Sequence, residues 1–220
     1  HSPVGCVAAL GVGGAEGVTR LLVATRSLGK LRELLPMLRA AGYTPIDLET
    51  AGIAEAPVED AIEAHDTFEA NALAKARHFH AISGLPTLAD DSGLCVDALG
   101  GRPGVRSKRW SGRSDLSGQP LDDANNAMLQ EALTPGLARG AGYVCAAAFV
   151  DGEGELVRRG ETRGEIVHVA QGSGGFGYDP FFRSDELGRT FAEVSREEKA
   201  TVSHRARAVR GILEALESRR

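Results

Sequence analysis

Two adjacent carboxylates, Asp90 and Asp91, lie inside LADDSGLCVDALGG at residues 88–101. Like charges side by side repel unless a cation separates them or each is compensated on its own. A hard divalent ion such as Mg2+ takes one or two protein carboxylates and keeps waters and substrate phosphates as its other ligands. One carboxylate can hold such an ion while it, or its neighbour, draws a proton from water. The alternative is an Asx-type turn in which Asp91 and Ser92 bond local backbone. Neighbouring residues on a strand point to opposite faces, so one shared cleft requires the pair to sit at a strand end, beside a Ser92-Gly93 turn.

Three further stretches suit an anionic ligand. TRSLGK at residues 25–30 places Gly29 and Lys30 where a strand gives way to a helix. Free N–H groups and the positive dipole end are available there, with Lys30 as a point charge for a polyphosphate. The fragment lacks the full P-loop pattern and equally describes a tight turn with an exposed lysine. GSGGFGYDP at residues 172–180 surrounds two aromatics with glycine. Either it is a surface turn, or its backbone approaches a flat ligand that Phe176 or Tyr178 covers. Asp179 then accepts hydrogen bonds, or merely shapes the turn before Pro180. Near the C-terminus Lys199 and Ser203 share a helix face, and His204 and Arg205 follow. They suit phosphate and base-edge contacts, although a lone histidine is more often simply satisfied. Glu63 is either a solvated charge or a second metal carboxylate.

The elements that must position these groups are legible in the hydrophobic pattern. Residues 19–25 form a continuous apolar run ending in a polar stop, as in a buried parallel strand. Leu31, Leu34, Leu35 and Leu38 mark one helical face, with Pro36 as an expected kink and Gly42 as the stop. Residues 66–83 form a helix capped by Asp66 with Glu69, burying Phe68, Ala72, Ala76 and Phe79. Pro86 opens the strand PTLAD, and LCVDA returns. Residues 100–118 are expected as an exposed loop and 122–133 as a short helix. Strands follow at 143–150, 155–161 and 164–169, with DGEG as a hairpin turn between the first two. A closing helix spans 197–217, with a Ser195/Glu198 capping box and Val202, Val209, Leu213 and Leu216 on or near its buried face.

These elements predict an α/β fold, a mixed sheet in two lobes with the ligand between them. Residues 1–19 are expected as a flexible leader and 20–220 as a single domain. One lobe spans about 20–100 and 190–220, the other 101–189. A net charge of −5 over 220 residues argues against tracking nucleic acid. No run is long and apolar enough for a bilayer. Cys6, Cys95 and Cys145 have no metal spacing; Cys95 and Cys145 lie in apolar runs, which fits a reducing cytoplasm.

Taken together, ATRSLGK, TFEANALAKA, LADDSGLCVDALGGRPGV, GGFGYDPFF and FAEVSREEKATVSHRARA resemble, in order and rough spacing, the inosine triphosphate pyrophosphatase family. The resemblance runs from about residue 20 to the end. It implies an elongated, two-lobed mixed sheet flanked by helices, usually in a homodimer. The implied reaction takes ITP, dITP or XTP to the monophosphate plus pyrophosphate with Mg2+, or Mn2+ in its place. By position the resemblance assigns phosphate contacts to Thr25, Arg26, Ser27, Leu28, Gly29 and Lys30. It makes Asp91 the general base and a metal ligand, and Ser92 a substrate contact. The base falls to Phe176, Gly177, Tyr178 and Asp179, with Lys199, His204 and Arg205 completing the site. Glu63 matches a metal carboxylate, and Asp90 an outer-shell one. Three positions depart from the family pattern: Ser27 replaces asparagine, Ala70 an acidic residue and Ala206 glycine. Competing readings are a Maf-type pyrophosphatase for other modified nucleotides, a nucleotide sensor without turnover, and an RNA-binding module, against which the acidic balance weighs.

Overall fold

A computed structural model describes residues 19–219, so residues 1–18 of the expected leader, Cys6 among them, lie outside the described residues, and Thr19 belongs to the first strand. Six strands form one mixed sheet: β1 (Thr19–Val23), β2 (Tyr43–Asp47), β3 (Thr87–Val96), β4 (Gly140–Asp151), β5 (Gly154–Ile166) and β6 (Phe182–Ser184), in the order β2-β1-β3-β4-β5-β6. The β1 strand runs parallel to β2 and β3, whereas the pairs from β3 through β6 are antiparallel. The helices are α1 (Leu28–Ala40), α2 (Val58–Ile62), α3 (Phe68–Ser83), α4 (Gly118–Ala132), α5 (Arg196–Val202) and α6 (His204–Glu217). Among the described residues no helix is long and apolar enough to cross a membrane.

Apolar side chains cover both sheet faces. On one, Leu31, Leu34 and Leu38 of α1 and Val209 and Ile212 of α6 pack on Leu21, Leu88, Cys145 and Phe149. On the other, Phe68, Ala72, Ala76 and Phe79 of α3 pack on Leu22, Ala89, Val144 and Ala148. These four are the stripe read from sequence, and each buried phenylalanine contributes about 1.5–3 kcal/mol. A third cluster gathers Leu94, Leu129, Tyr143, Ile166, Phe182 and Phe191 around the far end of β3 and β4.

Several local expectations need correction. No turn interrupts β3 at Ser92-Gly93: PTLAD and LCVDA belong to one strand, paired with β4 from Thr87↔Val150 to Val96↔Ala141. Gly93 serves close approach, since a Cβ there would meet the Gly104 carbonyl oxygen at 2.3 Å. A short 3₁₀ helix at Gly104–Arg109 presses on the strand at that point, inside the expected loop, and Leu94 N donates to Ser107 Oγ at 2.9 Å. Likewise 155–161 and 164–169 are not two strands: β5 runs unbroken to Ile166.

The cap of α3 is Thr67, whose hydroxyl accepts Ala70 N, and not Asp66. Pro36 does not divide α1; it lies on the exposed side with Arg32, whose carbonyl it leaves without the usual helix donor. The closing helix is two. Ser203 is extended (φ −67°, ψ 145°), ends α5 and caps α6 through Ala206 N. The Ser195/Glu198 capping box is present, and the hairpin turn closes at Asp151↔Gly154.

Candidate active site

The β1 strand stops two residues before Asp90 on its neighbour. Ala24 N makes the last bond, to Leu88 O at 2.8 Å, and the chain then leaves the sheet for α1. The open edge of β3 leaves the Asp90 carbonyl without a strand partner on that side. Two ammonium groups fill the gap: Lys75 Nζ at 2.9 Å and Lys30 Nζ at 3.3 Å. A crevice beyond the carboxyl end of a strand is the usual place for a ligand in open α/β sheets.

The two aspartates face opposite ways, which corrects the expectation that both turn into one cleft. Asp90 points to the α1/α6 side and is 1% exposed. Its Oδ2 meets Lys30 Nζ at 3.1 Å and Arg205 Nε at 3.0 Å. Arg205 also pairs with Glu33 and donates to Ser92 Oγ at 2.8 Å. Glu33 accepts Lys199 Nζ at 2.7 Å, and Lys199 reaches Asp179 Oδ2 at 2.6 Å. Lys30, Asp90, Arg205, Glu33, Lys199 and Asp179 therefore form one chain of alternating charge. Burial opposes ionisation of Asp90, yet Lys30 and Arg205 overcome it and hold the carboxyl below its ordinary range.

Asp91 points to the α3 side and is 8% exposed. Asn71 Nδ2 donates to its Oδ2 at 2.9 Å, and the Ser92 amide donates to its Oδ1 at 3.0 Å. Among the described residues no cation lies within salt-bridge distance of it. Burial pushes its pKa up, Glu63 pushes the same way, and Lys30 and Lys75 offset this only in part. Glu63 is half-buried and pairs with Lys75. Burial opposes its charge, but Lys75 holds its pKa low.

The residues of the first loop are committed locally. Ser27 caps α1, accepting Lys30 N at 3.3 Å, and its own amide donates to Thr25 Oγ1. The Arg26 fork grips Glu59 at 2.7 and 3.1 Å and donates to Ile53 O, so it anchors the segment before α2. Leu28 is exposed.

The second loop folds back on α1. Phe176 rests on Gly29, where an added Cβ would meet the ring at 2.6 Å. The ring also lies 5.1 Å from Lys199 Nζ and 5.6 Å from the Arg205 guanidinium. Asp179 Oδ2 accepts Phe176 N, while α4 holds Gly177 from both sides through Asp122 and Asn126. Tyr178 is in the core, its hydroxyl spent on Ser107 O at 2.7 Å, which leaves Phe176 as the aromatic free to cover a ligand. A cavity of about 240 Å³ opens beside it, lined by Gly29, Glu33, Gly175, Phe191 and Lys199 among others. His204 is fully buried, stacked on Tyr143 at 4.6 Å, with Nδ1 unpartnered. Burial, then Arg205 and Lys199, keep it neutral.

The structure thus gathers Lys30, Ser92, Phe176, Asp179, Lys199 and Arg205 around one charge chain, with Asp91 and Glu63 across the strand. Sequence reading had not singled out Glu33, Asn71, Lys75 and Asp122. Asn71 and Lys75 carried one signal: polar residues four apart at the border of an apolar helical stripe. Among the described residues no three His, Cys, Asp or Glu side chains converge for a metal. Asp91 and Glu63 are two hard oxygen donors, which fits a Mg2+ ion completed by phosphates and waters and not a fully protein-ligated centre.

Comparisons with known proteins bear on the chain and its fold as a whole. A profile of the Ham1 family matches residues 21–215. The dITP/XTP pyrophosphatase of Mycolicibacterium paratuberculosis is 50% identical over 201 residues, covering 90% of this chain and 96% of that protein. The dITP/XTP pyrophosphatase of Ralstonia nicotianae is 44% identical over the same coverage. Among solved structures, a HAM1 protein from Coxiella burnetii superposes with a TM-score of 0.77 at 33% identity, covering 91% of this chain and 99% of that one.

Proposed function

Because this chain belongs to the Ham1 family, we propose that it is a nucleoside triphosphate pyrophosphatase that converts ITP, dITP and XTP to the monophosphate and pyrophosphate. The observation that carries the reading is Asp91, a buried carboxylate with no cation partner among the described residues, beside Glu63 and within the field of Lys30 and Lys75.

In this reading Asp91 takes the proton of a water that attacks the α-phosphorus. The bond from that phosphorus to the α–β bridging oxygen breaks, and pyrophosphate leaves. Lys30, Lys75 and the free N–H groups at the start of α1 hold the phosphate oxygens. Held by Asp91 and Glu63, Mg2+, or Mn2+ in its place, would offset the charge gathering on the departing pyrophosphate. Asp90 does not ligate the ion; it anchors Lys30 and Arg205. Phe176 covers the base and Lys199 lines the cavity beside it, while Asp179, Arg205 and His204, buried behind them, set the charge of that wall. An N–H donor facing a 6-keto group accepts hypoxanthine and xanthine and leaves the adenine amino group facing a donor. We further propose a cytoplasmic homodimer, for which sedimentation is the test.

The deciding experiment is pyrophosphate release from ITP, XTP, GTP, ATP and dTTP, with and without Mg2+, by wild type and Asp91→Asn. Mg2+-dependent release from ITP and XTP, lost in the variant, supports the reading. Nucleotide binding without release would instead make the chain a sensor.

A further inference from the structure

Asn71 is 1% exposed, at the border of the stripe that packs α3 on the sheet. A buried amide costs about 1–3 kcal/mol wherever its bonds are unmade. Here they are made, and to two functional elements together. The carbonyl oxygen accepts the His65 amide at 2.9 Å, and Nδ2 donates to the His65 carbonyl at 3.3 Å. The same Nδ2 donates to Asp91 Oδ2 at 2.9 Å. His65 follows Glu63 by two residues in the short link between α2 and α3. One turn further along the same face of α3, Lys75 grips Glu63 itself and the Asp90 carbonyl. The face of α3 that carries Asn71 and Lys75 therefore acts as a ruler between two carboxylates that come from different parts of the chain.

We propose that Asn71 is a positioning residue that fixes the separation and orientation of Asp91 and Glu63 by clamping the Glu63–His65 link to Asp91. The inference rests on the reading of these two carboxylates as the divalent-cation pair. It explains why an amide stands at this position. Only a side chain with both donor and acceptor can pair with a peptide group and donate to a carboxylate as well. Aspartate would keep the acceptor for His65 N–H but set a second carboxylate against Asp91. Alanine would release all three bonds.

The test compares wild type with Asn71→Asp and Asn71→Ala. Three quantities are read: kcat and KM for ITP, Mn2+ binding without nucleotide by electron paramagnetic resonance, and hydrogen exchange of the His65 amide. The expected result is a kcat about 100-fold lower with little change in KM. Mn2+ affinity falls about 10-fold, as for other groups that orient a metal ligand, and His65 exchange quickens. Unchanged kcat and Mn2+ binding overturn the proposal. So does a loss of melting temperature with Mn2+ binding intact, which is what packing alone would give. Should Asn71→Ala fail to fold, the size-preserving Asn71→Asp carries the comparison. A His65 amide that exchanges rapidly in wild type also refutes the clamp. A wild type that releases no pyrophosphate defeats the assigned reaction, while Mn2+ binding and His65 exchange still decide the role of Asn71.

Discussion

Asp90 and Asp91 are one strand position apart, carry the same side chain, and face opposite environments. On the α1/α6 side, three anions and three cations alternate from Lys30 to Asp179, and Asp90 there meets both Lys30 and Arg205. On the α3 side Asp91 is met by an amide, with the Glu63 charge nearby. Their pKa values move apart accordingly, Asp90 down and Asp91 up. Burial acts on both in the same direction, so partners decide the sign. One face of the strand uses its carboxylate to hold the molecule together. The other leaves a carboxylate free to act.

Breaking the functional side should cost the most activity and the least stability. Asp91→Asn is expected to lower kcat for ITP about 1000-fold, within the range for a positioned general base. Its urea unfolding free energy should fall by about 1 kcal/mol, because the new amide can still accept from Asn71 but gives up the bond from the Ser92 amide. A variant that unfolds, or one that keeps its turnover, would erase the contrast between the two faces.

The structural side should respond the other way round. Asp90→Asn removes a buried anion and strands Lys30, with Glu33 left as the one carboxylate paired with Arg205. Breaking a buried pair in this way costs about 3 kcal/mol or more in urea denaturation. The pH dependence follows from the same group. Its folded-state pKa lies below the unfolded value, so the stability it lends is complete above about pH 4 and is lost as pH falls toward the depressed value. Glu33 moves in the same direction, since Arg205 and Lys199 outweigh its burial. Melting temperature should therefore fall with acid in wild type and fall less steeply in Asp90→Asn.

How much of this contrast the sequence disclosed depends on the range of the contacts involved. The α3 stripe, the Ser195/Glu198 box and the hairpin at Asp151 are local, and all were legible. Turn chemistry is local too, and it misled at Ser92-Gly93. Gly93 answers the chain around Gly104, eleven residues on, and with the turn removed the pleat alone sends Asp90 and Asp91 apart. Pro45 concealed β2, where proline is tolerated because the strand is an edge. Asn71 and Lys75 read as ordinary helix surface until β3 lies beneath them. Ser203 reads as one more polar position in a helical pattern, yet its cap starts α6 and aims His204 and Arg205 at the sheet.

The seam where the second loop meets α1 sharpens the comparison at a smaller scale. Alanine is the better helix former by up to about 1 kcal/mol, so Gly29→Ala should not weaken α1 itself. Its methyl group would occupy the space of the Phe176 ring and force the loop away. KM for ITP is expected to rise about 10-fold with kcat nearly unchanged, as for lost ground-state binding. An equal fall in kcat would mean that Phe176 also orients the phosphates toward Asp91, and the division of labour between the two faces would be less complete.

The smallest effect is expected at Ser27, where the sequence resemblance implies an asparagine. Its hydroxyl already caps α1 through Lys30 N, the residue whose ammonium group joins the Asp90 side to the open strand edge. Ser27→Ala should cost about 1 kcal/mol as a lost N-cap, read by urea denaturation. Ser27→Asn preserves the cap, since asparagine is as good a capping residue, and should leave stability within about 0.5 kcal/mol. The pair therefore separates two roles that one side chain could combine. If Ser27→Asn leaves kcat/KM for ITP unchanged while Ser27→Ala lowers only stability, residue 27 serves the frame and the phosphates are held by Lys30 and backbone N–H groups. A gain of several-fold in kcat/KM for Ser27→Asn would place an amide–phosphate contact at this turn and make the serine a true loss of function at the loop.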